Sequence, residues 1–210
     1  MDDAALRRLM NAIAAADDTA MHELLAASPA LARAGLTKGA TREAAADNFL
    51  TDISRYVYAG DTALHVAAAA HRPEIARELI RLGADVTARN RRGATPLHYA
   101  ADGSPGSPGW TPEDQSATIT YLIAAGADPN AADQDGVAAL HRAVRARCAE
   151  AVGALLAGGA DAFGRTGRGS TAIMLATRQT GRSGSGSPEA KSEQARIIAL
   201  LGLHPAPEPP

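Results

Sequence analysis

Four stretches of this 210-residue chain open alike, and that repetition constrains the fold more than any local feature. They are Gly60-Asp61-Thr62-Ala63-Leu64-His65-Val66-Ala67, Gly93-Ala94-Thr95-Pro96-Leu97-His98-Tyr99-Ala100, Gly136-Val137-Ala138-Ala139-Leu140-His141-Arg142-Ala143 and the weaker Gly169-Ser170-Thr171-Ala172-Ile173-Met174-Leu175-Ala176. Their first glycines stand 33, 43 and 33 residues apart. A second signature follows the first three: Gly83-Ala84-Asp85, Gly126-Ala127-Asp128 and Gly159-Ala160-Asp161. An apolar pair precedes each, at Leu79-Ile80, Leu122-Ile123 and Leu155-Leu156. Recurrence at this period means small similar units, none able to bury its apolar face alone, stacked in line.

Each signature has a local reason. Thr62, Thr95 and Thr171 are N-cap residues followed by Ala or Pro, so an inner helix begins at each. Leu97 and Ala100 share one face of that helix, and the small alanine lets neighbouring helices approach closely. The glycine of Gly-Ala-Asp ends the outer helix in a left-handed conformation that carries no Cβ penalty. The polar run behind it, such as Arg89-Asn90-Arg91-Arg92-Gly93, makes a tight turn. Composition agrees. Apolar residues are 46% of the chain, with alanine the largest contributor, and aromatics only 3%, which suits helices in close contact and not a sheet sandwich. The expected fold class is all-α.

A unit of about 33 residues opening Thr-Pro-Leu-His-x-Ala resembles the ankyrin repeat. Thr95 to Ala100 fits that opening at every defined position, and the resemblance runs over roughly residues 58–204. It implies a solenoid of helix-turn-helix repeats with short β-turn or hairpin tips, about four in number: 58–90, 91–133, 134–166 and 167–204. Residues 1–35 read as an N-terminal capping helical pair, Ala4 to Ala16 and Thr19 to Ala27, as the end of a solenoid requires. Residues 36–57 are an insertion, with a helix expected over Thr41 to Ile53. The proline-rich end, 205–210, is expected to be a disordered tail.

The wide second spacing locates an enlarged loop. From start glycine to apolar pair, repeats one and three take 19 residues, repeat two 29 and repeat four 31. The additions fall within 102–115 and 179–192, and they end in Thr111-Pro112-Glu113 and Ser187-Pro188-Glu189. An N-cap, a proline and an acid in that order predict outer helices that start about a turn early. Loops of this length can reach over the inner helices and wall a groove, with Trp110 and Tyr99 as apolar contacts and Arg145 and Arg178 on its floor.

Candidate chemistry is sparse. His65, His98 and His141 hold one repeat position, and the resemblance implies that each makes a structural hydrogen bond to the neighbouring turn. Repeats about 10 Å apart keep three imidazoles from sharing one zinc ion at bonds of ~2 Å. Gly184-Ser185-Gly186-Ser187 lacks the strand, the lysine and the full glycine spacing of a phosphate loop. Cys148 has Arg145 and Arg147 nearby in sequence, which would lower its pKa if they were close, but its place just past an inner helix reads as a passive small residue. As the single cysteine it excludes an internal disulfide. No catalytic residue, metal ligand or cofactor is assigned, and an enzyme is not expected.

The surface remains. A net charge of −2, from 21 basic and 23 acidic residues, speaks against a nucleic-acid binder or a polybasic membrane binder. No stretch approaches the ~18 apolar residues of a spanning helix, and Met1-Asp2-Asp3 lacks the basic region of a signal peptide. A cytoplasmic monomer is the expectation. Ankyrin partners usually meet the turn tips and the exposed inner-helix positions of the concave side. Carried onto this chain, those contacts are Tyr58, Asp61, Arg91, Arg92, Tyr99, Asp102, Trp110, Gln134, Asp135, Arg145, Arg168 and Arg178. The arginines among them tilt the face positive. The expected function is a protein–protein interaction module whose concave face binds a partner with an acidic surface. The alternative is a small-molecule binder or enzyme using a groove walled by the inserted loops.

Overall fold

The computed structural model describes residues 3–103, 105, 109–177 and 188–202. Helices α1 (Asp3–Ala14) and α2 (Asp18–Ala27) form the capping pair. Asp17 caps α2, its Oδ1 accepting the Ala20 amide at 3.0 Å. Four further pairs follow a 3-10 turn at Pro29–Arg33: α3 (Ala63–Ala69) with α4 (Pro73–Arg81), and α5 (Pro96–Ala100) with α6 (Pro112–Ala124). The last two are α7 (Ala139–Ala146) with α8 (Ala149–Ala157), and α9 (Ala172–Thr177) with α10 (Pro188–Gly202). The inner helices pack in series from α1 through α3, α5 and α7 to α9, and the outer helices from α4 through α6 and α8 to α10.

Packing follows the repeat. Leu64, Leu97 and Leu140 of the inner helices and Leu79, Leu122 and Leu155 of the outer helices are fully buried, each burial contributing about 1.5–3 kcal/mol. Ala67, Ala100 and Ala143 have no exposed surface, because at these points one repeat stacks directly on the next. The tips are tied in sequence as well. The Arg91 amide donates to Ala59 O at 2.7 Å, that of Gln134 to Arg92 O at 3.0 Å, and that of Gly167 to Asp135 O at 2.9 Å. This closeness requires glycine at Gly136, whose φ is 69° and where a Cβ would stand 2.5 Å from the Gly167 nitrogen.

The outer helix of repeat two starts early, as its N-terminal signals predict: α6 has 13 residues, whereas α4 and α8 have nine. Parts of the enlarged loops (104, 106–108 and 178–187) and the tail at 205–210 lie outside the described residues.

The insertion differs from expectation. In place of a helix over Thr41 to Ile53 there is a 3-10 turn at Ala46–Asn48 and a two-stranded antiparallel hairpin, β1 (Phe49–Leu50) and β2 (Arg55–Tyr56). Phe49 pairs with Tyr56, and Leu50 with Arg55. Leu50 is buried while Phe49 is exposed, an alternation that a strand supports. Ser54, at φ 49°, closes the turn in the left-handed region. Backbone bonds fasten the insertion to repeat one, with Ala40 N donating to Val57 O at 2.7 Å and Leu36 N to Asp61 O at 2.9 Å. The Arg91 guanidinium donates to the Ala40 carbonyl.

Candidate partner-binding groove

One repeat position closes every tip. Asn90 Oδ1 accepts the amides of Arg92 and Ala94 at 2.9 and 3.1 Å. Asp133 Oδ1 accepts those of Asp135 and Val137, both at 3.0 Å, and Thr166 Oγ1 accepts that of Ser170 at 3.2 Å. The histidines brace the same tips from inside. Each Nδ1 accepts a backbone amide, from Thr62, Thr95 or Ala138, at 3.2, 3.1 and 3.2 Å. The proton therefore sits on Nε2, which donates to the carbonyls of Ala94, Val137 and Gly164 at 3.2, 2.9 and 3.0 Å. Burial lowers the pKa of His65 and His141, and holds His98 at about 4. These are neutral structural groups. Among the described residues no three His, Cys, Asp or Glu side chains gather closely enough to hold a metal ion. Burial pushes the Cys148 thiol up to about 12, the opposite of activation.

The residue after the histidine gives the inner-helix side its chemistry. It is Val66, Tyr99, Arg142 and Leu175 in successive repeats. Tyr99 donates to Asp61 Oδ2 at 2.8 Å, Asn90 Nδ2 donates to Asp61 Oδ1 at 2.9 Å, and the Tyr58 amide to Asp61 Oδ2 at 2.6 Å. Burial, then the Asp61 charge, pushes the Tyr99 pKa up. One repeat on, Arg142 donates to Asp133 Oδ2 at 2.9 Å and to Asp102 Oδ2 at 3.1 Å. Burial would raise the Asp133 pKa, but bonds from Arg142 and the Val137 amide outweigh it and hold the carboxyl below its usual range.

The hairpin then reaches across. Arg55 donates to Asp102 Oδ2 at 3.3 Å and to the Asp102 carbonyl at 2.8 Å, so one carboxylate holds two guanidinium groups. Between the hairpin and the inner helices lies a groove of about 600 Å³, lined in part by Ser54, Arg55, Arg92, Asp135, Arg142 and Arg145. It shares Arg55, Arg92, Asp102 and Arg142 with a smaller hollow of about 210 Å³ bounded by Tyr56, Tyr58 and Tyr99.

Of the residues expected to meet a partner, the groove brings together Tyr58, Arg92, Tyr99, Asp102, Asp135 and Arg145. Arg91, Gln134 and Arg168 are exposed but do not line it. Two expectations need correction, those for Asp61 and Tyr99. Asp61 is 0% exposed, so it locks the junction and cannot touch a partner. Tyr99 turns its hydroxyl inward and leaves little more than its ring edge toward the groove. Trp110 packs against the core and lines neither hollow. Arg178 lies outside the described residues. Sequence reasoning missed Arg55, Asp133 and Arg142. Arg142 carried a signal, a charge at a position where Val66 and Leu175 are apolar, whereas Arg55 depends on a strand pairing that no repeat announces.

Comparison with known proteins bears on residues 9–176. Residues 9–107 match the family described as "Ankyrin repeats (3 copies)", 92–134 the single "Ankyrin repeat", and 122–176 "Ankyrin repeats (many copies)". The chain is 32% identical over 169 residues to Ankyrin repeat and SOCS box protein 6 of Homo sapiens, covering 76% of this chain and 37% of that protein. It is 34% identical over 144 residues to Ankyrin repeat and SOCS box protein 16 of Mus musculus, covering 69% and 31%. It is 33% identical over 100 residues to the B-cell lymphoma 3 protein homolog of Mus musculus, covering 48% and 21%. This chain thus spans little more than a third of the longest-matching relative. With repeat openings, helical pairs and tip bonds in agreement, the chain belongs to the ankyrin-repeat family.

Proposed function

We propose that this protein is an interaction module that receives a partner protein in the groove between the 49–56 hairpin and the inner helices, on the concave side of the solenoid. Ankyrin repeats are generally protein–protein interaction modules, which sets the class. The observation that carries the location is the set of charged side chains lining a groove of about 600 Å³, with Arg92 and Arg145 exposed in it. Exposed Arg91 and Arg168 at neighbouring tips extend the positive character and favour a partner with an acidic surface. The volume also falls in the range of small-ligand pockets, ~300–1,000 Å³, and this supports the second reading, a small-molecule site.

A photo-crosslinking residue at Ser54, on the groove wall, is expected to trap a discrete partner in producing cells. The same group at Arg77, on outer helix α4, is expected to trap none. A partner trapped at Arg77 and not at Ser54 would overturn the proposal.

A further inference from the structure

The ion pairs of the groove narrow what it accepts. Arg55 and Arg142 are both held by Asp102, and Arg142 also by Asp133. Arg91 is turned to the Ala40 carbonyl. Arg145 makes no hydrogen bond or ion pair among the described residues. Arg92 lies over the Tyr58 ring at 5.3 Å and touches its hydroxyl at 3.3 Å, which orients the guanidinium while leaving most of its five donors open. On the acidic side, Asp102 and Asp133 are neutralised by these arginines. The Asp135 carboxylate forms no ion pair among the described residues, its bonds there being those of its backbone. Two open cations therefore face one open anion in the same groove.

Size and wall add to this. A space of about 600 Å³ is the size of a small-ligand pocket, ~300–1,000 Å³, and takes a few side chains. Tyr56 lines the smaller hollow and is 43% exposed, its ring 4.8 Å from that of Phe49 and tilted by 53°, and Phe49 is 37% exposed. An exposed aromatic pair beside cations suits an apolar side chain next to a carboxylate.

Resting on the reading that this groove receives the partner, we infer that it clamps a short extended segment in which an acidic residue adjoins an apolar one. Arg92 and Arg145 grip the carboxylates, the Phe49–Tyr56 pair holds the apolar neighbour, and Asp135 limits how much negative charge is tolerated. The insertion, present once and outside the repeat pattern, supplies one wall and so sets the specificity.

The test uses the full chain and fluorescent decapeptide libraries with Asp/Glu, Lys/Arg or Gln beside Phe or Leu, read by anisotropy. Acidic–apolar decapeptides are expected to bind, and binding should weaken as salt rises. R92A and R145A should each weaken it by about two- to fivefold, and D135N should strengthen it by a similar factor. R81A, on outer helix α4, should leave it unchanged. Selection of basic decapeptides, or acidic binding indifferent to both R145A and D135N, would overturn the clamp. The two levels fail separately. Trapping at Ser54 that acidic decapeptides, added before irradiation, do not reduce refutes the clamp alone, whereas no trapping at Ser54 refutes the groove as the partner site.

Discussion

Between repeats one and two, Asn90, Tyr99 and Asp61 form a closed set beneath the insertion, with the Asp61 carboxylate fully buried among its donors. Between repeats two and three, Asp133 and Arg142 hold the same two repeat positions as Asn90 and Tyr99, but the third member, Asp102, is shared with Arg55 of the hairpin. The first junction is covered and uses neutral donors. The second is more open and uses full charges, the Arg55 and Asp102 side chains being 29% and 24% exposed. One backbone pattern thus builds a closed lock at one junction and a more open, charged surface at the next. The insertion decides which is which.

The core should not distinguish the junctions. Leu97→Ala and Leu140→Ala, one on each side, are each expected to lower stability by about 2–5 kcal/mol through lost burial and a cavity. Chemical denaturation measures both, and a negligible loss at either would break the assigned repeat register.

Acid should strain the tip at Val137 through His98 and the opposite edge through His71, whose Nε2 is 3.1 Å from the Ala100 carbonyl. His98 and His71 are held at about 4 by burial, against 6.5 when free. The unfolded chain binds more protons between those values, so the stability is fully present above about pH 6.5 and is lost as the pH falls toward 4. The loss is on the order of 3 kcal/mol per histidine. Denaturation midpoints from pH 7 to 4 check it, and a flat profile would contradict the neutral, buried assignment.

Tyr99→Phe sharpens the contrast at the closed junction. It removes one donor from a buried carboxylate and is expected to lower stability by about 2 kcal/mol. Arg55→Met at the open junction should lower it by about 1 kcal/mol or less, since Arg55 and Asp102 are partly hydrated and Asp102 keeps Arg142. Equal losses for the two would erase the distinction between lock and surface.

Much of this architecture was legible in the sequence. Thr95, Leu97, His98 and Ala100 each act locally or against the identical position one repeat away, so a motif suffices to place them. The early start of α6 was legible for the same reason, because Thr111 and Pro112 act on their own turn. The hairpin was not. Leu50 is buried and Phe49 exposed, but strands of two residues are too short for their alternation to tell a strand from a helix. Asp61 misled because a carboxylate reads as a surface group, whereas this repeat position is buried at Ala94 and Val137 as well. Arg142 and Asp133 were readable as charges at repeat positions, but their pairing with Asp102 and Arg55 exists only in three dimensions.

Hydrogen exchange of the unsubstituted full chain, with and without the partner that trapping identifies, tests the groove most directly. Slowed exchange is expected in residues 54–58, 91–93 and 142–146, with the outer helices unchanged. Protection confined to α4, α6 and α8, with the hairpin and α7 unaffected, would contradict it.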